Sequence, residues 1–219
     1  QEDRGTIDKY IGDAIMAFWG APLKDEKHAE HALRSALAMQ KKLKEIGPEF
    51  VSRGWPVLEI GVGLNCGMMN VGDMGSTFRR AYTVLGDAVN LAARLEGLTK
   101  EYGVGILVSE NIVKTVQDIV YRELDRVRVK GKLEPISIFE PIGKKGEVPD
   151  QIIEEIDRFH RALDLVRSQK WDEAEAALTK LIDADPKRKV YGKYMDRVAT
   201  LRANPPGDNW DGVYTFTHK

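Results

Sequence analysis

Residues 7–19 read Ile7-Asp-Lys9-Tyr-Ile11-Gly12-Asp13-Ala14-Ile-Met-Ala-Phe-Trp19. Two β-prone runs, Ile7 to Ile11 and Ala14 to Trp19, are joined there by Gly12-Asp13. A two-residue, glycine-containing link between such runs predicts a tight hairpin, and Gly20-Ala21-Pro22 ends the second strand. Downstream, Ala29, Ala32, Leu33, Ala36, Leu37, Leu43 and Ile46 recur with the helical period. They predict an amphipathic helix over about residues 26–46, stopped by Gly47-Pro48.

Leu58 to Leu64 and Met68 to Val71 read as a second strand pair around Asn65-Cys66-Gly67, followed by a glycine-dotted turn from Gly72 to Ser76. Tyr82 to Leu85 is a short strand, and Gly86-Asp87 opens a helix through about Tyr102. A buried strand at Gly105 to Ser109, a short helix, and strands at Arg122 to Val129 and Ile136 to Pro141 complete the pattern. Strands alternating with helices in this way predict an α/β or α+β sandwich with a mixed sheet.

At Gly143-Lys144-Lys145-Gly146 the composition turns polar, and everything beyond it has helical periodicity. The expected division is therefore 1–143 and a small all-α tail, 144–219. Ile153, Ile156, Phe159, Leu163 and Val166 mark a first tail helix. Trp171, Ala174, Ala177, Leu178, Leu181 and Ile182 mark a second, and Tyr191, Tyr194, Met195, Val198 and Leu201 a third. The first two resemble a single tetratricopeptide unit. One such unit cannot bury both of its faces, so it should pack on the preceding domain or on another protein chain.

The 219 residues are 42% hydrophobic and 31% charged, with a formal net charge of -1. That is ordinary for a soluble globular protein, and the charge balance argues against nucleic-acid binding by bulk electrostatics. The single cysteine, Cys66, excludes an internal disulfide and a thiolate metal cage. No apolar run approaches the length of a membrane span. The opening Gln1-Glu2-Asp3-Arg4-Gly5 lacks an initiator methionine and reads as a cut through a larger protein.

Three elements stand out for chemistry: Lys9-Tyr-Ile-Gly12-Asp13, then Tyr82-Thr83-Val-Leu-Gly86-Asp-Ala-Val-Asn90-Leu-Ala-Ala-Arg94-Leu-Glu96, then Val129-Lys130-Gly131-Lys132. Asp13 sits at a hairpin tip, where a carboxylate is held yet exposed, although turn aspartates are common at such tips. Asn90 and Arg94 are four apart on a predicted helix and share one face. In this order the three elements resemble the class III adenylate/guanylate cyclases, over roughly Gly5 to Ile142. The resemblance implies a ferredoxin-like cyclase sandwich and cyclisation of a nucleoside triphosphate. The ribose 3′-hydroxyl attacks the α-phosphorus and pyrophosphate leaves, with charge stabilised at the transferring group.

Carried over residue by residue, the resemblance makes Asp13 one of two aspartates that hold a pair of Mg2+ or Mn2+ ions. It has Asn90 orient the ribose, Arg94 stabilise charge on the α-phosphate, and Lys130 contact the terminal phosphates. Lys9 and Thr83 match the two base-reading positions and point to ATP. A lysine ammonium can donate to adenine N1, whereas guanine presents N1–H there; guanylate cyclases usually carry glutamate at the first position. The family's other metal aspartate lies upstream of the Lys9 hairpin and is not in this sequence, so the chain alone is expected to turn over weakly or not at all. Met68 stands where some members place a basic residue.

Because the family builds each site from two catalytic domains and this chain carries both kinds of residue, a homodimer is implied. The helical tail and Asn209 to Tyr214 resemble sensor-linked bacterial cyclases, which implies a cytoplasmic position on a membrane-anchored parent. Two rivals remain, a guanylate cyclase and a catalytically inactive regulatory domain. His28 and His31, three apart on a helix, lack further ligands nearby and read as a solvated face rather than a metal site.

Overall fold

The hairpin at Gly12-Asp13 is present in the computed structural model, which describes residues 3–128 and 134–215. Strands β1 (Thr6–Ile11) and β2 (Ala14–Phe18) pair antiparallel, with Ile11 opposite Ala14. Gly12 turns at φ 64°, in the left-handed region that side chains disfavour. The ladder carries one irregularity. Ile7 faces Ala17 and Lys9 faces Met16, so two steps along β1 match one along β2. Asp8 is thus the extra residue of a β-bulge.

Helix α1 (His28–Ser52) buries Ala29, Ala32, Leu33 and Ala36. It runs through Gly47 and keeps Pro48 inside, where a stop was predicted. Proline there removes one backbone donor, but the following turn is held by other means. Arg53 pairs with Glu49, the Trp55 N–H donates to the Phe50 carbonyl at 2.9 Å, and the Arg53 guanidinium lies 5.1 Å from the Trp55 ring centre. The predicted solvated face at His31 is also corrected: its Nδ1 is 2.6 Å from the buried Asp25 carboxylate.

Strand β3 (Val62–Leu64) is shorter than predicted. The stretch read as a glycine-dotted turn is instead strand β4 (Asn70–Ser76), antiparallel to β5 (Arg79–Leu85) in unbroken register from Asn70 opposite Leu85 to Ser76 opposite Arg79. A continuous ladder outweighs the weak strand preference of glycine. Helix α2 (Asp87–Tyr102) follows and buries Leu91 and Leu95. Strand β6 (Ile106–Ser109) is buried throughout and pairs in parallel with β3, and α3 (Glu110–Thr115) succeeds it. So β3 takes β6 as partner, rather than the Met68–Val71 segment that was predicted.

Gly63 lets α2 lie close on β3. A Cβ there would stand 2.1 Å from the Ala92 carbonyl oxygen and 2.3 Å from the Glu96 nitrogen. Asn65 fixes the same contact further along. Its amide donates to the Ala88 carbonyl at 3.0 Å and its carbonyl accepts from Ser109 at 2.6 Å.

These elements belong to one compact unit, Gln1–Thr99 with Gly105–Gln117; the other is Lys100–Val104 with Asp118–Lys219. In the second unit β7 (Ile119–Arg128) pairs antiparallel with β8 (Ile136–Lys144). Helices α4 (Asp150–Arg167), α5 (Trp171–Ala184) and α6 (Lys189–Ala203) follow. A last short strand, β9 (Tyr214–Thr215), which sequence reading did not foresee, lies parallel to β7 and makes the pairing mixed. The compact units therefore divide elsewhere than the composition change at residue 143, with β7, β8 and the three helices together. Phe159 on α4 stacks against Tyr191 and Tyr194 on α6, and the Tyr194 hydroxyl donates to the Leu124 carbonyl at 2.9 Å.

Two ionic clusters lie in this second core. Arg122, fully buried, pairs with Glu140 and Glu155. Asp125 accepts from the Tyr102 hydroxyl, from Arg197 at 2.8 Å and from the Arg126 N–H at 2.7 Å. The Arg197 guanidinium lies 4.5 Å from the Tyr194 ring centre and 4.0 Å from that of Tyr214.

Candidate active site

Lys9 and Thr83 lie 74 positions apart in sequence, and the fold brings them into contact. The Lys9 ammonium donates to the Thr83 hydroxyl at 3.3 Å. Thr83 is buried on β5, whereas the Lys9 side chain is 46% exposed and so reaches from the interior to the surface. Asp8, which sequence reading missed, completes the cluster. The Thr83 hydroxyl donates to its Oδ2, and Lys9 Nζ stands 3.1 Å from its Oδ1. Burial pushes the Asp8 carboxyl up. The Thr83 hydrogen bond, the Lys9 contact and the Val84 backbone bond outweigh burial and hold it below the ordinary aspartate value.

Asn90 and Arg94 stand one turn apart on α2, and the adjoining Leu91 and Leu95 are buried. The start of that helix is anchored at Gly86, whose carbonyl accepts the Val89 N–H at 3.1 Å and the Asn90 N–H at 3.3 Å. Asn90 is exposed and Arg94 half-buried, and among the described residues neither side chain is taken by a hydrogen bond or ion pair. An amide and a guanidinium left unpartnered on one face are chemically suited to an anionic, hydroxyl-bearing ligand.

Asp13 is exposed at the hairpin tip. Among the described residues no three His, Cys, Asp or Glu side chains gather as a metal cluster. One carboxylate does not satisfy two hard divalent cations, each of which takes about six oxygen ligands. Lys130 lies outside the described residues.

A hairpin with a carboxylate at its tip, a lysine–threonine pair beside it, and an asparagine and arginine one turn apart on the helix after β5 define a class III nucleotidyl cyclase domain. Residues 5–140 match the family described as adenylate and guanylate cyclase catalytic domain, and the chain belongs to that family. It is 39% identical over 140 residues to adenylate cyclase 1 of Rhizobium meliloti (strain 1021), covering 64% of this chain and 21% of that protein. The chain thus spans about a fifth of that relative's length. Among solved structures it is similar to the adenylyl cyclase CyaB from P. aeruginosa, at TM-score 0.60 and 32% identity, covering 68% of this chain and 76% of that one. It is similar also to the guanylyl cyclase Cya2, at TM-score 0.58 and 31% identity, covering 67% and 74%.

Proposed function

We propose that this chain is the catalytic domain of an adenylate cyclase that converts ATP to 3′,5′-cyclic AMP and pyrophosphate. The Lys9–Thr83 contact supports this reading most. Adenylyl and guanylyl cyclases both stand among the similar structures, so the choice of nucleotide rests on this pair. Lys9 keeps donors for a ring nitrogen acceptor, the pattern adenine offers at N1 and guanine does not.

The other roles are those that the family motif assigns to these residues. Arg94 stabilises the charge that develops on the α-phosphate as the 3′-hydroxyl attacks, and Asn90, one turn earlier, holds the ribose in line for that attack. Lys130 takes the terminal phosphates. Asp13 would offer one carboxylate oxygen to Mg2+ or Mn2+, which would supply Lewis-acid chemistry at the phosphates. The described residues do not complete a two-ion site.

Exposed Ile7, Tyr10, Ile11, Ile15 and Phe78 on the two hairpins form apolar surface suited to a second copy of the chain. No helix among the described residues is long and apolar enough to cross a membrane. One other reading is a nucleotide-binding regulatory domain without turnover, since among the described residues Asp13 joins no cluster of three metal-ligating side chains.

The test supplies ATP or GTP with Mg2+ or Mn2+ to this chain and to the full-length protein and quantifies cyclic product. Cyclic AMP is expected to dominate. Arg94→Ala should lower kcat by about 10²–10³-fold with little change in KM. Predominant cyclic GMP defeats the ATP reading, and nucleotide binding without product in the full-length protein establishes the regulatory one.

A further inference from the structure

We infer that Asp8 is the positioning residue that makes the Lys9–Thr83 pair selective for adenine, by taking the Thr83 hydroxyl proton so that the hydroxyl meets the base as an acceptor only. This rests on the ATP-cyclising reading and adds a third residue to the same site.

A threonine hydroxyl has one proton and two lone pairs, and it rotates to suit whatever faces it. Left free, it satisfies the exocyclic amino group of adenine by accepting, or the carbonyl oxygen of guanine by donating. Alone, Thr83 therefore discriminates little. In this fold its proton is committed to Asp8 Oδ2, and Lys9 donates to it at 3.3 Å. What the hydroxyl still offers is a lone pair. An amino group fits that capacity, and a carbonyl oxygen meets it acceptor against acceptor.

Asp8 acts on Lys9 as well. Its Oδ1 lies 3.1 Å from Nζ and its side chain is 1% exposed, so water does not compete for the carboxylate. Lys9 donates to Thr83 and stands in ionic contact with Asp8, and the ammonium, with three hydrogens, still has a donor for a ring nitrogen. The bulge makes this geometry possible. In a regular strand Asp8 and Lys9 would point to opposite faces. The extra residue between the Ile7 and Lys9 pairings lets consecutive side chains reach one hydroxyl on β5. A carboxyl held below the ordinary aspartate value keeps accepting across the neutral range.

The test compares kcat/KM for ATP with kcat/KM for GTP in the full-length protein carrying Asp8→Ala, Asp8→Asn or Thr83→Val. Asp8→Ala frees the hydroxyl to donate, and the ATP-to-GTP ratio should fall about tenfold, the worth of one hydrogen bond. Asp8→Asn keeps a carbonyl that accepts the same proton and should stay within about threefold of wild type. A purely structural Asp8 would lower both nucleotides equally, and an unmoved ratio in a folded Asp8→Ala protein overturns the inference. Should Asp8→Ala not fold, Thr83→Val carries the decision: it removes the oriented acceptor, and a ratio equal to wild type overturns the inference too. Wild-type preference for GTP sinks the ATP reading and Asp8's role together. Preference for ATP with ratios that do not move sinks only the role of Asp8.

Discussion

Replacing Gly63 by alanine should damage catalysis more than it damages stability. The added methyl would lie 2.1 Å from the Ala92 carbonyl oxygen and 2.3 Å from the Glu96 nitrogen, both backbone atoms of α2. Neither can swing aside as a side-chain tip would. Restoring ordinary contact, 3.4 Å or more, requires α2 and β3 to separate locally by about 1.3 Å, the difference between 3.4 and 2.1. Asn90 and Arg94 ride on that helix, Asn90 two residues before Ala92 and Arg94 midway between Ala92 and Glu96. Overpacking of this kind costs about 1–3 kcal/mol, whereas a displacement of about 1 Å in a positioning group can cost about 10²-fold in rate. The assay is kcat and KM for ATP with a parallel thermal melt. The loss is expected mainly in kcat, with the melting transition lowered by no more than about 10 °C. A Gly63→Ala enzyme with wild-type kcat refutes the claim that the close approach of α2 to β3 sets the catalytic geometry.

In the second unit, Asp125→Ala strands the buried Arg197 cation and the Tyr102 hydroxyl; unfolding should become easier by about 3–5 kcal/mol. Asp125→Asn, which keeps an acceptor, should lose less, and equal losses in chemical denaturation would count against the ionic account. The His160 ring accepts the Glu123 N–H at 2.9 Å, and burial holds its pKa below the usual 6.5 despite the opposing pull of Glu123 and Asp157. Its neutral form is the folded form. The unfolded chain therefore binds more protons as pH falls below about 6.5, and stability should decline with pH from there to the lowered folded value. Calorimetry of wild type and His160→Gln across that range checks the sign, since the variant should lose that part of the decline.

The Lys9–Thr83 contact could be anticipated from the sequence because a motif fixes residue identity at each position. It is secured by β1 and β5, whose strand patterns are plain. The hairpin at Gly12 and the start of α2 at Gly86-Asp87 were legible for similar local reasons. Asp8 was not. In regular alternation it points away from Lys9, and nothing in Ile7-Asp-Lys9 announces a bulge that depends on how β2 aligns. The glycines of β4 misled in the opposite sense, since each weakens a strand locally while the ladder with β5 is a non-local gain. Pro48 was read as a stop because its backbone cost is plain in the sequence, whereas the contacts among Glu49, Phe50, Arg53 and Trp55 that hold the chain beyond it, though local, depend on side-chain geometry that no periodic pattern shows. Arg122 and Asp125 fell inside the strand predicted at Arg122 to Val129, and nothing in that pattern marks them as buried. Their burial depends on partners contributed by β8, α2, α4 and α6.

The bulge at Asp8 also limits how this site can be retargeted. Exchanging Lys9 for the glutamate usual in guanylate cyclases would set two carboxylates side by side in a pocket where one is already shielded from water. Like charges so placed raise each other's proton affinity and push apart. Grafting two residues would then yield a crippled enzyme rather than one with swapped preference, and a workable exchange has to replace Asp8 or restore the missing step on β2. In the proposed site, strand alignment counts as much as side-chain identity for nucleobase choice.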